Sequence, residues 1–494
     1  MKNKIVRLLT IGLCIALLTA CGSRKTDRAD QSSGDGVVEN GENGNADTSD
    51  PETDDLTDGE ETGDVNGEDQ KNDQTEDQKN DQTEDLKDDQ KDDQKDDQTE
   101  ENQNGQTADG KEDQTSEAEP EEKVLEPAPA LKEVYDGMFE IGVCLNNMTA
   151  GSMYRDDVVK NFTSVTCENE MKPDYLLDQS ASRAGVADDP TFVAVNFSNC
   201  NGIVKYCEEN GLKMRFHTLA WHAQTPNWFF YEDYDTAKKL VSKEVMVERL
   251  KNYIFQVVDY FDTEHPGLIY TIDVVNEAFN GNGTYGTTDT NNKWYEVMGS
   301  DYVYYAFLYA REAIDNSKNM KDCVLVYNDY SMMWKASVVP NGLKNIFGEH
   351  GADPHDYIDA LGMQSHLDTD TSIQNFLIAA KQFLAEGYEL QITELDIGIP
   401  NQKRGAEVSE KDLLKQGQKY RYLMDGLVDL KKQGYNITGV TVWGINDANS
   451  WRSDENGMDA HALLWKKGMV EKPAVRGFAL CDDIVSYYTY GIKF

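Results

Sequence analysis

Tyr270-Thr271-Ile272-Asp273-Val274-Val275-Asn276-Glu277-Ala278-Phe279 begins as an apolar, β-branched run and ends in an amide and a carboxylate. A run that is apolar along its length suits a strand of a parallel sheet, buried on both faces. Polar groups at the C-terminal end of such a strand fit a (β/α)8 TIM barrel, whose C-terminal rim carries the working side chains. A second run, Tyr388-Glu389-Leu390-Gln391-Ile392-Thr393-Glu394-Leu395-Asp396, ends the same way. Working outward, strand-like runs centre on 139–144, 162–167, 213–218, 270–275, 323–328, 360–364, 389–393 and 438–443. Helix-like stretches lie between and after them, clearest at 245–261, 302–316, 412–432 and 473–484. Strand–helix alternation through eight units predicts a closed parallel barrel. A doubly wound open sheet needs a glycine-rich phosphate loop after an early strand, and the sequence has none.

The barrel accounts for 128–494, which holds every Trp, Tyr and Phe of the 494-residue chain. The rest is different material. Residues 1–20 carry Lys2, Lys4 and Arg7 ahead of a short apolar run, the pattern of a signal peptide. It ends Leu18-Thr19-Ala20-Cys21-Gly22, which reads as a lipobox with Cys21 as the lipidated mature N-terminus. That predicts anchoring to a membrane at the extracellular face of the cell envelope. Segment 21–127 reads as a disordered acidic linker. Residues 29–127 contain 37 Asp and Glu against 7 Lys and Arg, and so hold most of the chain's net charge of −43. Lys-Asp-Asp-Gln recurs at Lys87, Lys91 and Lys95, and the segment has no aromatic side chain to bury. It reads as a tether with an end-to-end distance of roughly 55 Å, ahead of the rival reading of an acidic binding tail for cations or basic proteins. Such negative charge argues against nucleic acid as a partner.

Six cysteines fall in 128–494. Cys200 and Cys207 are a seven-residue step apart on one expected helix, too far for a disulfide. Cys144 and Cys167 fall on neighbouring strands and read as buried thiols or as a bridge. No Cys/His spacing reads as a metal site.

Glu277 and Glu394 put a carboxylate at each of two strand ends, the equipment of glycoside hydrolysis. Their runs resemble the acid/base and nucleophile strands of the family 10 glycoside hydrolases, which are endo-β-1,4-xylanases. Further runs carry the resemblance across roughly residues 130–490. They are Glu168-Asn169-Glu170-Met171-Lys172, His217-Thr218-Leu219-Ala220-Trp221-His222-Ala223-Gln224, Tyr327-Asn328-Asp329-Tyr330, Gln364-Ser365-His366, and Val442-Trp443-Gly444 with Ser450-Trp451-Arg452.

The resemblance implies a retaining double displacement without metal or organic cofactor. Glu277 is the implied acid/base, and ionised Glu394, the implied nucleophile, keeps it protonated. Glu168, Asn169 and Lys172 are implied to bind sugar hydroxyls on the non-reducing side of the cut. His217, Trp221, Gln224 and Gln364 are implied to line the cleft, Asn276 to meet the sugar 2-hydroxyl, and His366 to hold the nucleophile. Trp443 is implied as a floor and Trp451 as a flap. Tyr327–Tyr330 reads as architectural, and His222 as a structural hydrogen-bonding residue as readily as a ligand. The implied partners are xylan and xylo-oligosaccharides, bound by a monomer. A barrel acting on another β-1,4-glycan such as cellulose, or a catalytically silent glycan-binding lipoprotein, are the alternatives. Ile272, Phe216, Asn446 and Trp465 depart from the family's usual residues. Phe216 and Ile272 are expected to alter packing beneath the site, and an unusually long loop at 177–193 to affect the outer subsites.

Overall fold

The computed structural model describes residues 125–280, 292–453 and 459–485. The signal peptide, Cys21 and nearly all of the acidic segment lie outside the described residues. Nine strands form the main sheet: β1 (Glu140–Leu145), β2 (Ser164–Cys167), β3 (Lys213–Trp221), β4 (Ile269–Asn276), β5 (Val324–Asp329), β6 (Ala360–Met363), β7 (His366–Asp368), β8 (Glu389–Gly398) and β9 (Ile437–Val442). From β1 to β6 each strand pairs in parallel with the next. β6 then pairs with β8, β8 with β9, and β9 with β1, which closes eight parallel staves into a barrel. The three-residue β7 prolongs the sixth stave alongside the far end of β8.

Every strand-like run of the sequence becomes a stave, but β3 and β8 extend further than expected, to Trp221 and Gly398. Register shifts interrupt the pairing between His217 and Ala220, between Asp273 and Val275, and between Ile392 and Leu395. An irregularity of this kind bends a strand and re-aims its side chains. These three lie where β3, β4 and β8 approach the polar rim, and two more, at Met214/Arg215 and Leu390/Gln391, lie toward the other end of the barrel.

The helices follow their caps. Lys243–Glu264 starts at Ser242, whose side chain accepts from Val245 N. Glu410–Lys432 starts at Ser409 with Glu410 and Asp412 in its first turn and ends on Lys431 and Lys432, which suits the helix dipole. The expected helix at 473–484 is shorter, Pro473–Phe478. Leu480 has φ of 56°, which breaks the spiral, and Arg421 Nη1 takes the carbonyls of Cys481 at 2.8 Å and Ile484 at 3.3 Å. Gly417 and Gly477 let this helix cross Glu410–Lys432 closely: a Cβ on Gly477 would sit 2.0 Å from Gly417 O.

Strand alternation corrects the expectation for Phe216 and Ile272. Arg215, His217 and Asp273 are linked to one another inside the barrel, so their neighbours Phe216 and Ile272 face outward. Phe216 meets Phe261 of the helix layer at 5.8 Å rather than packing beneath the site. Alternation also settles the cysteines. Cys144 is in register with Thr166 and Leu145 with Cys167, so the two thiols point to opposite faces, and both are free and buried.

Candidate active site

The rim of the barrel holds a cleft of about 530 Å³. Its lining brings together every side chain the sequence nominated for substrate and catalysis: Glu168, Asn169, Lys172, His217, Trp221, Gln224, Asn276, Glu277, Gln364, His366, Glu394, Trp443 and Trp451. Tyr330 and Ser331 line it as well, although no strand-end pattern in the sequence points to them as cleft residues.

Glu394 rises from β8 and is only 5% exposed. Its Oε1 accepts from Asn328 Nδ2 at 2.8 Å, and its Oε2 lies 3.1 Å from His366 Nε2. Burial alone pushes its carboxyl upward. The hydrogen bond from His366, the charges of His217 and His366, and the bond from Asn328 outweigh that and hold it at about 2. His366 is itself clamped, its Nδ1 lying 2.8 Å from Asp396 Oδ2. Burial disfavours the imidazolium, yet Asp396 and Glu394 on either side push it up to about 10.

Asp396 anchors this half of the rim. Two residues beyond Glu394 on β8, it is fully buried and also accepts from Trp451 Nε1 at 3.1 Å and Arg452 Nη1 at 2.9 Å. Arg452 continues to Asp368 Oδ1 at 2.7 Å. A Cβ on Gly398 would lie 2.8 Å from that oxygen and 3.0 Å from the guanidinium carbon, so glycine leaves room for the pair. Trp451 is thereby tied at its Nε1 while 46% exposed, 4.9 Å from the His366 ring.

Glu277 stands at the end of β4 with φ of 58°. A non-glycine residue in the left-handed region costs of order 1–3 kcal/mol, so its surroundings must hold it there. They do so at consecutive residues. Glu277 N donates to Asn328 O at 2.9 Å, Ala278 N to Tyr327 Oη at 3.1 Å, and Lys335 Nζ to Phe279 O at 2.8 Å. The carboxylate accepts from Trp221 Nε1 at 2.9 Å and Gln364 Nε2 at 2.8 Å. The stave that supplies Gln364 kinks at Ser365, where φ is 68°.

One chain of amides joins the two carboxylates. Asn328 Nδ2 donates to both Glu394 Oε1 and Asn276 Oδ1, and Gln364 Nε2 donates to both Asn276 Oδ1, at 3.3 Å, and Glu277 Oε1. With Oδ1 used as acceptor, the Nδ2 of Asn276 is left to donate. Asn328, read from sequence as architectural, is the hub of this arrangement. Its side chain is oriented by Thr393 Oγ1, which donates to Oδ1 at 2.6 Å.

The opposite wall is built on a buried charge cluster. Arg215 pairs with Asp273 inside the barrel, and His217 Nδ1 lies 2.8 Å from the same carboxylate. Removing one partner of such a buried pair costs about 3–5 kcal/mol. Lys172 Nζ donates to Asn169 Oδ1 at 3.1 Å and sits 4.8 Å from the centre of the Trp221 ring. Burial lowers its pKa, against the pull of Glu394. Glu168 accepts from Asn146 Nδ2 at 2.8 Å. Trp443 packs edge-on to His217 at 5.4 Å.

His222 lines a separate polar recess with Asp174 and Lys293. Its Nδ1 is buried with no hydrogen-bond partner among the described residues, so the structural bond expected of it is not made there. No residue of the loop at 177–193 lines the cleft. Arg249, Asn252 and Gln256 of Lys243–Glu264 bind its carbonyls at Pro190, Thr191 and Val193, each at 2.9 Å, which holds it to the helix layer. Asn446 caps a turn through Ala448 N, and Trp465 packs edge-on against Phe162.

Residues 130–480 match the family described as Glycosyl hydrolase family 10. Endo-1,4-beta-xylanase A of Thermotoga maritima is 37% identical over 341 residues, which is 68% of this chain and 29% of that protein. Endo-1,4-beta-xylanase Y of Acetivibrio thermocellus is 32% identical over 370 residues, 71% of this chain and 32% of that one. The chain thus spans about a third of the length of these curated relatives. Among solved structures, the CBM22-1 and GH10 modules of a Clostridium thermocellum endo-1,4-beta-D-xylanase, complexed with xylohexaose, superpose with a TM-score of 0.61 at 31% identity, covering 72% of this chain and 68% of that one.

Proposed function

The chain belongs to glycosyl hydrolase family 10, and from that premise we propose that it is an endo-β-1,4-xylanase cleaving internal xylosidic bonds by a retaining double displacement. The observation that carries this reading is the unequal treatment of two carboxylates in one cleft. Glu394, held at about 2, is ionised at any physiological pH and suits attack on the anomeric carbon. Glu277 is held by two neutral donors and has no ion-pair partner among the described residues. That arrangement suits a group which gives a proton to the leaving oxygen and then takes one from water. Retention by this route calls for carboxyl groups about 5–5.5 Å apart. Asn276 donates from Nδ2 to the sugar 2-hydroxyl, and Glu168, Asn169 and Lys172 hold the unit on the non-reducing side. These offer charge-assisted hydrogen bonds to hydroxyls, while Trp443 and Trp451 offer faces to the pyranose ring.

Substrate choice follows from crowding. Xylose lacks the hydroxymethyl group that glucose bears at C5, and Trp443 and Trp451 close over the ring at that edge. A misplacement of about 1 Å costs on the order of 10²-fold in rate. The test is release of reducing sugar from xylan and from cellulose at equal enzyme. Strong preference for xylan is expected. Equal rates would favour a general β-1,4-glycanase, and no release from either a glycan-binding role.

The same proposal extends to location. The Leu-Thr-Ala-Cys run supports lipid anchoring at Cys21, with the acidic segment as a tether giving the barrel reach. Cys21→Ala is expected to move the protein from the membrane fraction to the soluble one with its activity intact. Retention in the membrane fraction would refute the anchor.

A further inference from the structure

We propose that Trp334 is the platform of an outer subsite on the leaving-group side, where its exposed indole face takes a β-1,4-linked xylosyl unit beyond the point of cleavage. The inference rests on the xylanase reading above and names where that substrate continues.

The ring order of the barrel sets the direction. Glu168, Asn169 and Lys172 follow β2, and the sixth stave lies across the barrel from β2. On the reading proposed above, in which those residues hold the non-reducing side, a linear glycan that crosses Glu394 and Glu277 would leave over the rim of β5 to β7. Tyr330 and Ser331, directly after β5, already line the cleft there. Three residues further on, Trp334 is 69% exposed at the end of the short 3-10 turn Met332–Trp334.

Single exposed apolar side chains are ordinary on protein surfaces. Two observations separate Trp334 from that background. First, a second recess adjoins the cleft and reaches Trp334. Ser331 and His366, both of the cleft, also line a recess of about 120 Å³ together with Met332, Trp334, Met363 and Phe376. Second, the turn that presents it is fixed from both sides. Met332 is buried before it and Lys335 after it. Lys335 Nζ donates to Asp329 Oδ1 and to Phe279 O, each at 2.8 Å, and Trp334 N donates to Ser331 O at 2.9 Å. A large aromatic face is therefore held out on a rigid support, tied to the segment that carries Glu277. Such a face buries the CH surface of an uncharged pyranose and gives up little side-chain entropy in doing so.

The experiment compares Trp334→Ala with the parent, as full chains, on two substrates. The leaving group of 4-nitrophenyl β-xylobioside fills only the first position past the cleavage point, whereas xylohexaose reaches further. The variant is expected to lose about tenfold in kcat/KM on xylohexaose, mainly through KM, and less than about twofold on the nitrophenyl substrate. Trp334→Phe is expected to recover most of the loss. Equal values for variant and parent on xylohexaose overturn the proposal, and so does an equal loss on both substrates, which marks a structural role. A parent that fails to cleave the nitrophenyl xylobioside instead sinks the xylanase reading, and this inference with it.

Discussion

Glu277, just past β4, and Glu394, within β8, hang from one chain of amides, but the two halves of the rim treat them differently. Around Glu394 the chain assembles charge: His366 between two carboxylates, Asp396 beneath it, and Arg452 behind. Around Glu277 the donors are neutral, and effort goes into the backbone, fixed in the left-handed region by β5 and Lys335. The difference teaches how one fold gives two unlike settings to one residue type. Around Glu394 the charges of two histidines add to the neutral Asn328 bond in holding the carboxylate ionised, whereas Glu277 is positioned by neutral donors alone.

Removing the side chains tests that contrast most severely. Glu394→Ala is expected to abolish turnover of ordinary substrates, with losses on the order of 10⁴-fold or more, because no covalent intermediate forms. Glu277→Ala is expected to damage xylan cleavage severely. It should spare the glycosylation step on dinitrophenyl xylobioside, whose leaving group needs no proton. Burst kinetics separate the steps, and equal damage to glycosylation from both changes would erase the distinction between the halves.

A milder change sharpens it. His366→Asn removes the cation but keeps a donor, and is expected to cost on the order of 10²-fold in kcat/KM. It should also move the acid limb of the pH profile upward, since Glu394 is then free to rise from about 2 toward the ordinary carboxylate range. An unmoved limb would show that His366 does not set the charge of Glu394.

Stability should follow the same pair, with the smallest effect. The raised imidazolium contributes fully below its ordinary value of 6.5, and its contribution is lost as pH rises through about 10. The lowered carboxylate contributes above its ordinary 4.5 and is lost as pH falls toward 2. Thermal melts should show the parent losing its advantage over His366→Asn as pH climbs from 7 to 10. A constant difference across that range would contradict the pairing.

The sequence made some of this legible and not the rest, for physical reasons. The run 270–279 announced both a stave and its terminal carboxylate, because apolar content and position along the strand are local properties. Asp396 was within reach: it lies two residues past Glu394, and a period of two puts both on one face. Asn328 reads as architecture in the sequence, since nothing local says that an amide near the end of β5 will bridge β4 and β8. The left-handed Glu277 and the kink at Ser365 were not legible at all. Ordinary residues hold those conformations only because tertiary hydrogen bonds compel them. The helix expected over 473–484 failed for a similar reason, with Arg421 capturing carbonyls that a helix would have used.

The stereochemistry of the first product tests the account most directly. Proton NMR of xylo-oligosaccharide hydrolysis, recorded before mutarotation, reads the anomer released. If Glu394 attacks the sugar and Glu277 serves the leaving group and then water, the first product is the β anomer. An initial α anomer would mean that water, not Glu394, attacks the anomeric carbon, and would contradict the division of labour between the two halves of the rim.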